Sequence, residues 1–196
     1  MELKNSQTFK NLINAYAGEC QAHVRYQFLS HAAKQRQLFE VQKAIDVITK
    51  NEFNHARMFY TAIQSADSNV LENLEVCGGY PFKEKWDFIQ NFEFAISNET
   101  DEHSTIYPEF SRIAQDEGFE EISNLFTLIA KVEECHSKQL TELHDQIKNG
   151  TLYKRNVPIK WKCSECGHEA TLTEAWETCP LCQVPQGYVM LNLSEN

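Results

Sequence analysis

Apolar side chains recur every three or four residues in four long segments, at roughly 7–35, 39–66, 86–115 and 120–148. That spacing puts them on one face of an α-helix. The first stripe runs Leu12, Tyr16, Glu19, His23, Tyr26, Leu29, and the second Val41, Ile45, Ile48, Glu52, His55, Phe59, Ala62. The third runs Phe88, Phe92, Ala95, Glu99, Glu102, Ile106, Ile113. The fourth runs Ile122, Phe126, Ile129, Glu133, His136, Leu140, Leu143, Ile147. Pro108 interrupts the third and predicts a kink or a defect in its hydrogen-bond ladder. A few polar residues around 34–37 join the first two helices, and Asp116-Glu117-Gly118 joins the last two, so each pair is predicted to be an antiparallel hairpin. The middle connection, about 65–85, carries Gly78-Gly79 and Pro81 and can run the length of a bundle. The pattern predicts an all-α four-helix bundle with one long crossover.

After Asn149-Gly150 the pattern changes. Residues 157–193 hold three of the five prolines, two Cys-x-x-Cys pairs and short alternations such as Tyr188-Val189-Met190-Leu191. A piece this small cannot bury a self-sufficient core and needs a metal staple. We therefore expect a bundle domain over 1–150 and a small module within 151–196, joined by a linker of about ten residues.

Composition narrows the partners. Lys and Arg total 18 against 28 for Asp and Glu, a net charge of −10, which disfavours nucleic acid and anionic membranes. No apolar run approaches the ~18 residues of a membrane span, and no export signal follows Met1. The expected location is the cytoplasm. The seven cysteines are an odd number, and in a reducing compartment they point to metal chemistry, not disulfides.

Every bundle stripe carries Glu, and buried carboxylates are costly unless paired or bound to cations. With 22 Glu and 7 His, about one Glu-x-x-His is expected by chance, and three occur. The one at Glu165 and His168 lies among the cysteines and reads as coincidence. The other two repeat a pattern: Glu19 precedes Glu52-x-x-His55 by 33 residues, and Glu99 precedes Glu133-x-x-His136 by 34. Residues i and i+3 share a helix face, so each motif presents a carboxylate and an imidazole together. This is the ligand scheme of ferritin-like dimetal carboxylate bundles. Cys163-x2-Cys166-x12-Cys179-x2-Cys182 adds a four-thiolate site suited to zinc or one iron. Cys20 and Cys135 adjoin ligands but are turned away from them by helical rotation, so buried structural thiols are expected there. The role of Cys77 stays open.

Ala17-Gly18-Glu19-Cys20-Gln21-Ala22, Glu52-x-x-His55, Glu99-x-x-Glu102, Tyr107-Pro108, Glu133-x-x-His136 and the terminal cysteine module together resemble the rubrerythrin family over nearly the whole chain. The resemblance implies a ferritin-like di-iron bundle followed by a rubredoxin-like domain. It implies three irons per chain, one di-iron centre and one Fe(Cys)4, with zinc the alternative metal at the cysteines. It implies reduction of hydrogen peroxide to water as an oxidative-stress defence. Electrons would come through the rubredoxin-like iron from partners such as rubredoxin and an NAD(P)H-dependent reductase. Glu52 and Glu133 would bridge the irons, Glu19 and Glu99 would be terminal ligands, and His136 would hold one iron. The other iron would shift between His55 and Glu102, and Tyr26 and Tyr107 would hydrogen-bond ligand carboxylates. His136 lies 13 residues before Asn149, about 20 Å along a helix. A head-to-tail homodimer, with one chain's module near the other's bundle, is therefore expected. Alternatives are iron oxidation and storage, dioxygen reduction, and a redox-inactive zinc-binding interaction protein.

Overall fold

The computed structural model describes residues 2–66, 73, 75–76 and 87–193. The crossover with its Gly-Gly and Pro, and Cys77, lie outside the described residues. Helix α1 spans Gln7–Gln35, α2 Phe39–Gln64, α3 Phe88–Asp101, α4 Tyr107–Asp116 and α5 Glu120–Lys148. Strands β1 (Lys154–Lys162) and β2 (Glu169–Glu174) follow.

Local chemistry sets the helix ends. Ser6 accepts from the Phe9 N–H and caps α1. Glu117, from the turn between α4 and α5, accepts from the Gln7 and Thr8 N–H groups as well. One end of the bundle is thereby tied across 110 residues. Gly118, at φ +85°, makes the α4–α5 turn. Gln37 makes the α1–α2 turn at φ +58° without being glycine.

The third stripe behaves differently from its straight-helix expectation. Between α3 and α4, Glu102–Ile106 form a π turn, in which the Tyr107 N–H bonds to the Glu102 carbonyl five residues back. Pro108 follows at once in the first turn of α4, where its missing N–H does no harm. The widened turn inserts one residue, so the buried face advances by one position. Ile106, expected on the core stripe, is 37% exposed, whereas Tyr107 and Ala114 are buried. Ile113 is only partly buried.

The core divides into two apolar clusters. One, toward the C-terminal module, joins Tyr26, Leu29, Ile45, Ile48, Phe92 and Leu140. The other joins Phe9, Leu12, Phe59, Tyr107, Phe126 and Ile129. Glu19, Glu52, Glu99 and Glu133, each fully buried, come from the same helices at positions between these clusters.

The module is less detached than a ten-residue linker suggests, because β1 begins at Lys154. Leu152 packs into the bundle core, and Tyr153 touches both that core and the module's own, built on Trp161, Ala175 and Val189. β1 and β2 pair antiparallel with an irregularity between Lys154 and Ile159, where Pro158 offers no N–H. The 188–191 alternation makes only an isolated bridge, Val189 to Cys163. Tyr188 packs on Phe39, Ser164 donates to Glu40 at 2.6 Å, and Gly187 meets the Gln37 carbonyl. A Cβ at Gly187 would lie 1.7 Å from that oxygen, so only glycine fits.

Candidate metal centres

Six of the seven expected bundle ligands converge. Glu19, Glu52, His55 and Glu133 place one ligand atom each within 4.8 Å of one another, and so do Glu52, Glu99, Glu133 and His136. The two sets share Glu52, from α2, and Glu133, from α5. Nδ1 of His55 lies 2.8 Å from Glu133 Oε1, and Nδ1 of His136 lies 2.7 Å from Glu133 Oε2 and 3.0 Å from Glu52 Oε1. The rings stack with centroids 5.9 Å apart.

Close as they are, these atoms do not satisfy one another. Both oxygens of Glu52 and of Glu133, one oxygen each of Glu19 and Glu99, and Nδ1 of both rings are buried without a hydrogen-bond partner. The remaining oxygens of the outer pair are taken: Tyr107 donates to Glu19 and Tyr26 to Glu99. Orphaned lone pairs aimed into shared space are the donor set a pair of cations requires. The carboxylate–imidazole cluster fits a di-iron site, and the hard and borderline donors suit iron or manganese.

Electrostatics shows what the cluster costs without cations. Burial, aided by the charge of Glu52, drives the Glu19 carboxyl well above its ordinary range and Glu99 up to about 8. Burial opposes the charged ring of His55, yet Glu133, Glu19 and Glu52 facing it push its pKa up to about 12.

Glu102 stands apart. It belongs to neither ligand set and heads the π turn, with a carboxyl oxygen 3.9 Å from where a Gly18 Cβ would sit. Burial and then the charge of Glu99 raise its pKa strongly, while Arg25 opposes the rise.

Cys163, Cys166, Cys179 and Cys182 form the second centre. The Sγ pairs 163–182 and 166–179 are 3.8 and 3.7 Å apart. A tetrahedron with ~2.3 Å metal–sulfur bonds has edges of about 3.8 Å. The two knuckles share one design: Gly167 and Gln183 follow the second cysteine at φ +75° and +64°, and their N–H groups return to the Cys163 and Cys179 carbonyls. Burial would raise the Cys179 thiol, but the backbone N–H groups of Cys182 and Leu181 prevail and lower it to about 7. Cys135, expected to be buried, is exposed, and Cys20 is partly buried. Rotation away from the ligand face carries Cys135 out to solvent.

Some functional neighbours have no sequence signal. Asn51 lies 3.1 Å from Nε2 of His136, and an amide beside Glu52 reads as an ordinary helix residue. The Ser164–Glu40 contact joins residues 124 apart, beyond any local pattern.

Fold and site together define a carboxylate-bundle dimetal protein carrying a four-thiolate module. The rubrerythrin profile matches residues 10–149, and the profile described as rubrerythrin, rubredoxin-like domain, matches 161–188. Rubrerythrin from Clostridium perfringens is 35% identical over 186 residues, 95% of this chain and 94% of that protein. Among solved structures, nigerythrin in a partially reduced state superposes with TM-score 0.62 at 22% identity, covering 98% of this chain and 94% of that one. Desulfovibrio desulfuricans bacterioferritin gives 0.61 at 19% identity, covering 74% and 82%. The chain belongs to the rubrerythrin family. No helix among the described residues is long and apolar enough to cross a membrane.

Proposed function

We propose that this protein is a non-haem di-iron peroxidase that reduces hydrogen peroxide to water, with electrons delivered through the four-cysteine iron. The observation that carries the reading is one chain holding both two overlapping four-ligand sets and a four-thiolate site. Iron storage needs no attached reductant. A pair of irons bound in the bundle would supply the two electrons that cleave the O–O bond.

The chain's own residues do the rest. Glu52 and Glu133, orphaned at both oxygens and shared between sets, would serve both irons. Glu19 and Glu99, each with one oxygen held by a tyrosine, would each serve one iron. Burial and the neighbouring carboxylate raise the pKa of Tyr26 and Tyr107 well above normal, so both phenols keep their protons and steady Glu99 and Glu19. His136 would hold one iron, and His55 or Glu102 the other.

Electron delivery supports a head-to-tail homodimer. The module rests on Glu40, and Glu40 precedes Glu52 by 12 residues of α2, about 18 Å of helix. The module of a second copy is the nearer donor, fed by rubredoxin-like carriers and a nicotinamide-dependent reductase in the cytoplasm. A monomer in solution with undiminished turnover defeats that arrangement.

The test combines metal analysis, an optical spectrum and reoxidation of the anaerobically reduced protein. Three irons per chain, a red Fe(Cys)4 chromophore and faster reoxidation by peroxide than by dioxygen are expected. Faster reoxidation by dioxygen assigns the site to oxygen reduction or iron oxidation, and a colourless zinc-only protein overturns the redox reading.

A further inference from the structure

The two imidazoles of the cluster face alike at Nδ1 and differ behind it. Nδ1 of His136 looks onto Glu133, Glu52 and Glu99 at 2.7, 3.0 and 3.5 Å. Nδ1 of His55 looks onto Glu133, Glu19 and Glu52 at 2.8, 3.7 and 3.7 Å. Behind His136, on α5, the amide nitrogen Nδ2 of Asn51 on α2 stands 3.1 Å from Nε2. Among the described residues, the polar side-chain contacts of His55 all run through Nδ1, and its Nε2 has no hydrogen-bond partner.

An imidazole that gives its Nδ1 lone pair to a cation carries its proton on Nε2. In a part-buried setting that N–H needs an acceptor, and a fixed acceptor sets the ring's rotation and raises its basicity. An amide suits the task, because its NH2, which here faces Nε2, donates to a bare Nε2, and a half-turn offers its oxygen to an Nε2–H. The tether also crosses between helices, so the ring is held from α2 as well as by its own backbone on α5.

We propose that Asn51 is a positioning residue that locks the His136 ring. It makes the Glu52/Glu99/Glu133/His136 set the tighter and more rigid metal position. The Glu19/Glu52/Glu133/His55 set, with an untethered ring, is the looser one. This rests on reading the cluster as a dimetal centre, and it adds to that reading an order of occupancy and the residue that sets it.

The experiment titrates the full chain, its four-cysteine site preloaded with zinc and its bundle stripped, with Co(II). Visible absorption and calorimetry resolve the two steps. In the wild type the first ion is expected to bind at least about tenfold tighter than the second. Asn51→Leu weakens the first step by about 10–100-fold, the range for losing a ligand's supporting partner, and leaves the second within about threefold. Asn51→Asp keeps an acceptor and restores the first step. His55→Ala removes only the second step. An Asn51→Leu protein with an unchanged first step, or with both steps weakened alike, overturns the proposal, as does failure of Asn51→Asp to rescue. A wild-type chain that binds no pair of ions overturns the dimetal reading itself.

Should Asn51→Leu not fold, histidine-labelled wild-type protein loaded with zinc at all sites gives the answer by 15N NMR. The His136 Nε2–H is expected to be hydrogen-bonded and slow to exchange, with that of His55 fast. Equal exchange of the two overturns the proposal.

Discussion

The bundle centre and the cysteine module hold their ligands by opposite means. In the bundle, Glu19, Glu52, Glu99 and Glu133 come from α1, α2, α3 and α5, and two apolar clusters, one toward each end, fix those helices without help from a metal. The module brings Cys163, Cys166, Cys179 and Cys182 together within 20 residues, around a core of only Trp161, Ala175 and Val189 with a few partly buried neighbours. Apolar packing preorganises the first site and forces charge into it. The second has too small a core to hold its thiolates in place without a cation, so metal binding is expected to supply much of its folding energy. One architecture is expected to tolerate its metal's absence at an electrostatic cost, and the other to lose its structure.

Metal removal gives the largest effect. Structural zinc contributes ~10–16 kcal/mol in isolated finger peptides, so chelation is expected to abolish amide protection in β1 and β2. The interior of α2 and α5 stays protected in the same hydrogen-exchange experiment. Loss of protection in both regions together would break the contrast.

Next comes pH. Glu99 in the metal-free chain has its pKa raised from an ordinary 4.5 to about 8, by burial and then Glu52. His55 is raised from 6.5 to about 12 by Glu133, Glu19 and Glu52, against the effect of burial. In both cases the folded chain holds a proton that the unfolded chain releases earlier. The stability this confers is complete below the unfolded pKa and is lost as pH rises through the folded one. The melting temperature of the metal-free bundle therefore falls between pH 6 and 9. Metal-loaded protein, whose ligands hold cations in place of protons, shows no such fall over that range.

Tyr107→Phe is smaller. Its ring stays among Phe59, Phe110 and Phe126, and only the donor to Glu19 is lost. A buried acceptor left unpaired costs about 1–3 kcal/mol, measurable by denaturant unfolding of the metal-free chain.

Glu19→Gln sharpens the contrast most finely. Burial raises the Glu19 carboxyl well above its ordinary range in the metal-free chain and so favours its neutral form, and an amide oxygen accepts from Tyr107 equally well. Metal-free stability changes less than for Tyr107→Phe, while metal binding at the His55 side falls. A large destabilisation would mean that Glu19 carries charge before metal arrives.

Much of this was legible along the chain because periodicity and motif spacing are local. Three or four residues per step place Glu19, Glu52, Glu99 and Glu133 inward whatever surrounds them, and two residues between cysteines shape a knuckle. Legibility stopped at the π turn. Pro108 announced a defect but not its kind, and the single inserted residue moved burial from Ile106 to Tyr107 and from Ile113 to Ala114. Gly167 signalled its left-handed turn, whereas Gln183 adopts the same conformation with no such sign.

By itself, then, the sequence determined the helix faces, the carboxylates and imidazoles that face the core and the four-thiolate spacing, since each follows from geometry within a few residues. Only the tertiary structure decided that Glu52 and Glu133 are shared between the two ligand sets, that Asn51 backs His136 and not His55, and that Gly187 and Ser164 seat the module on Gln37 and Glu40. Those contacts join residues from tens of positions to well over a hundred apart. Distances between such residues depend on how whole helices pack, which no local repeat along the chain records.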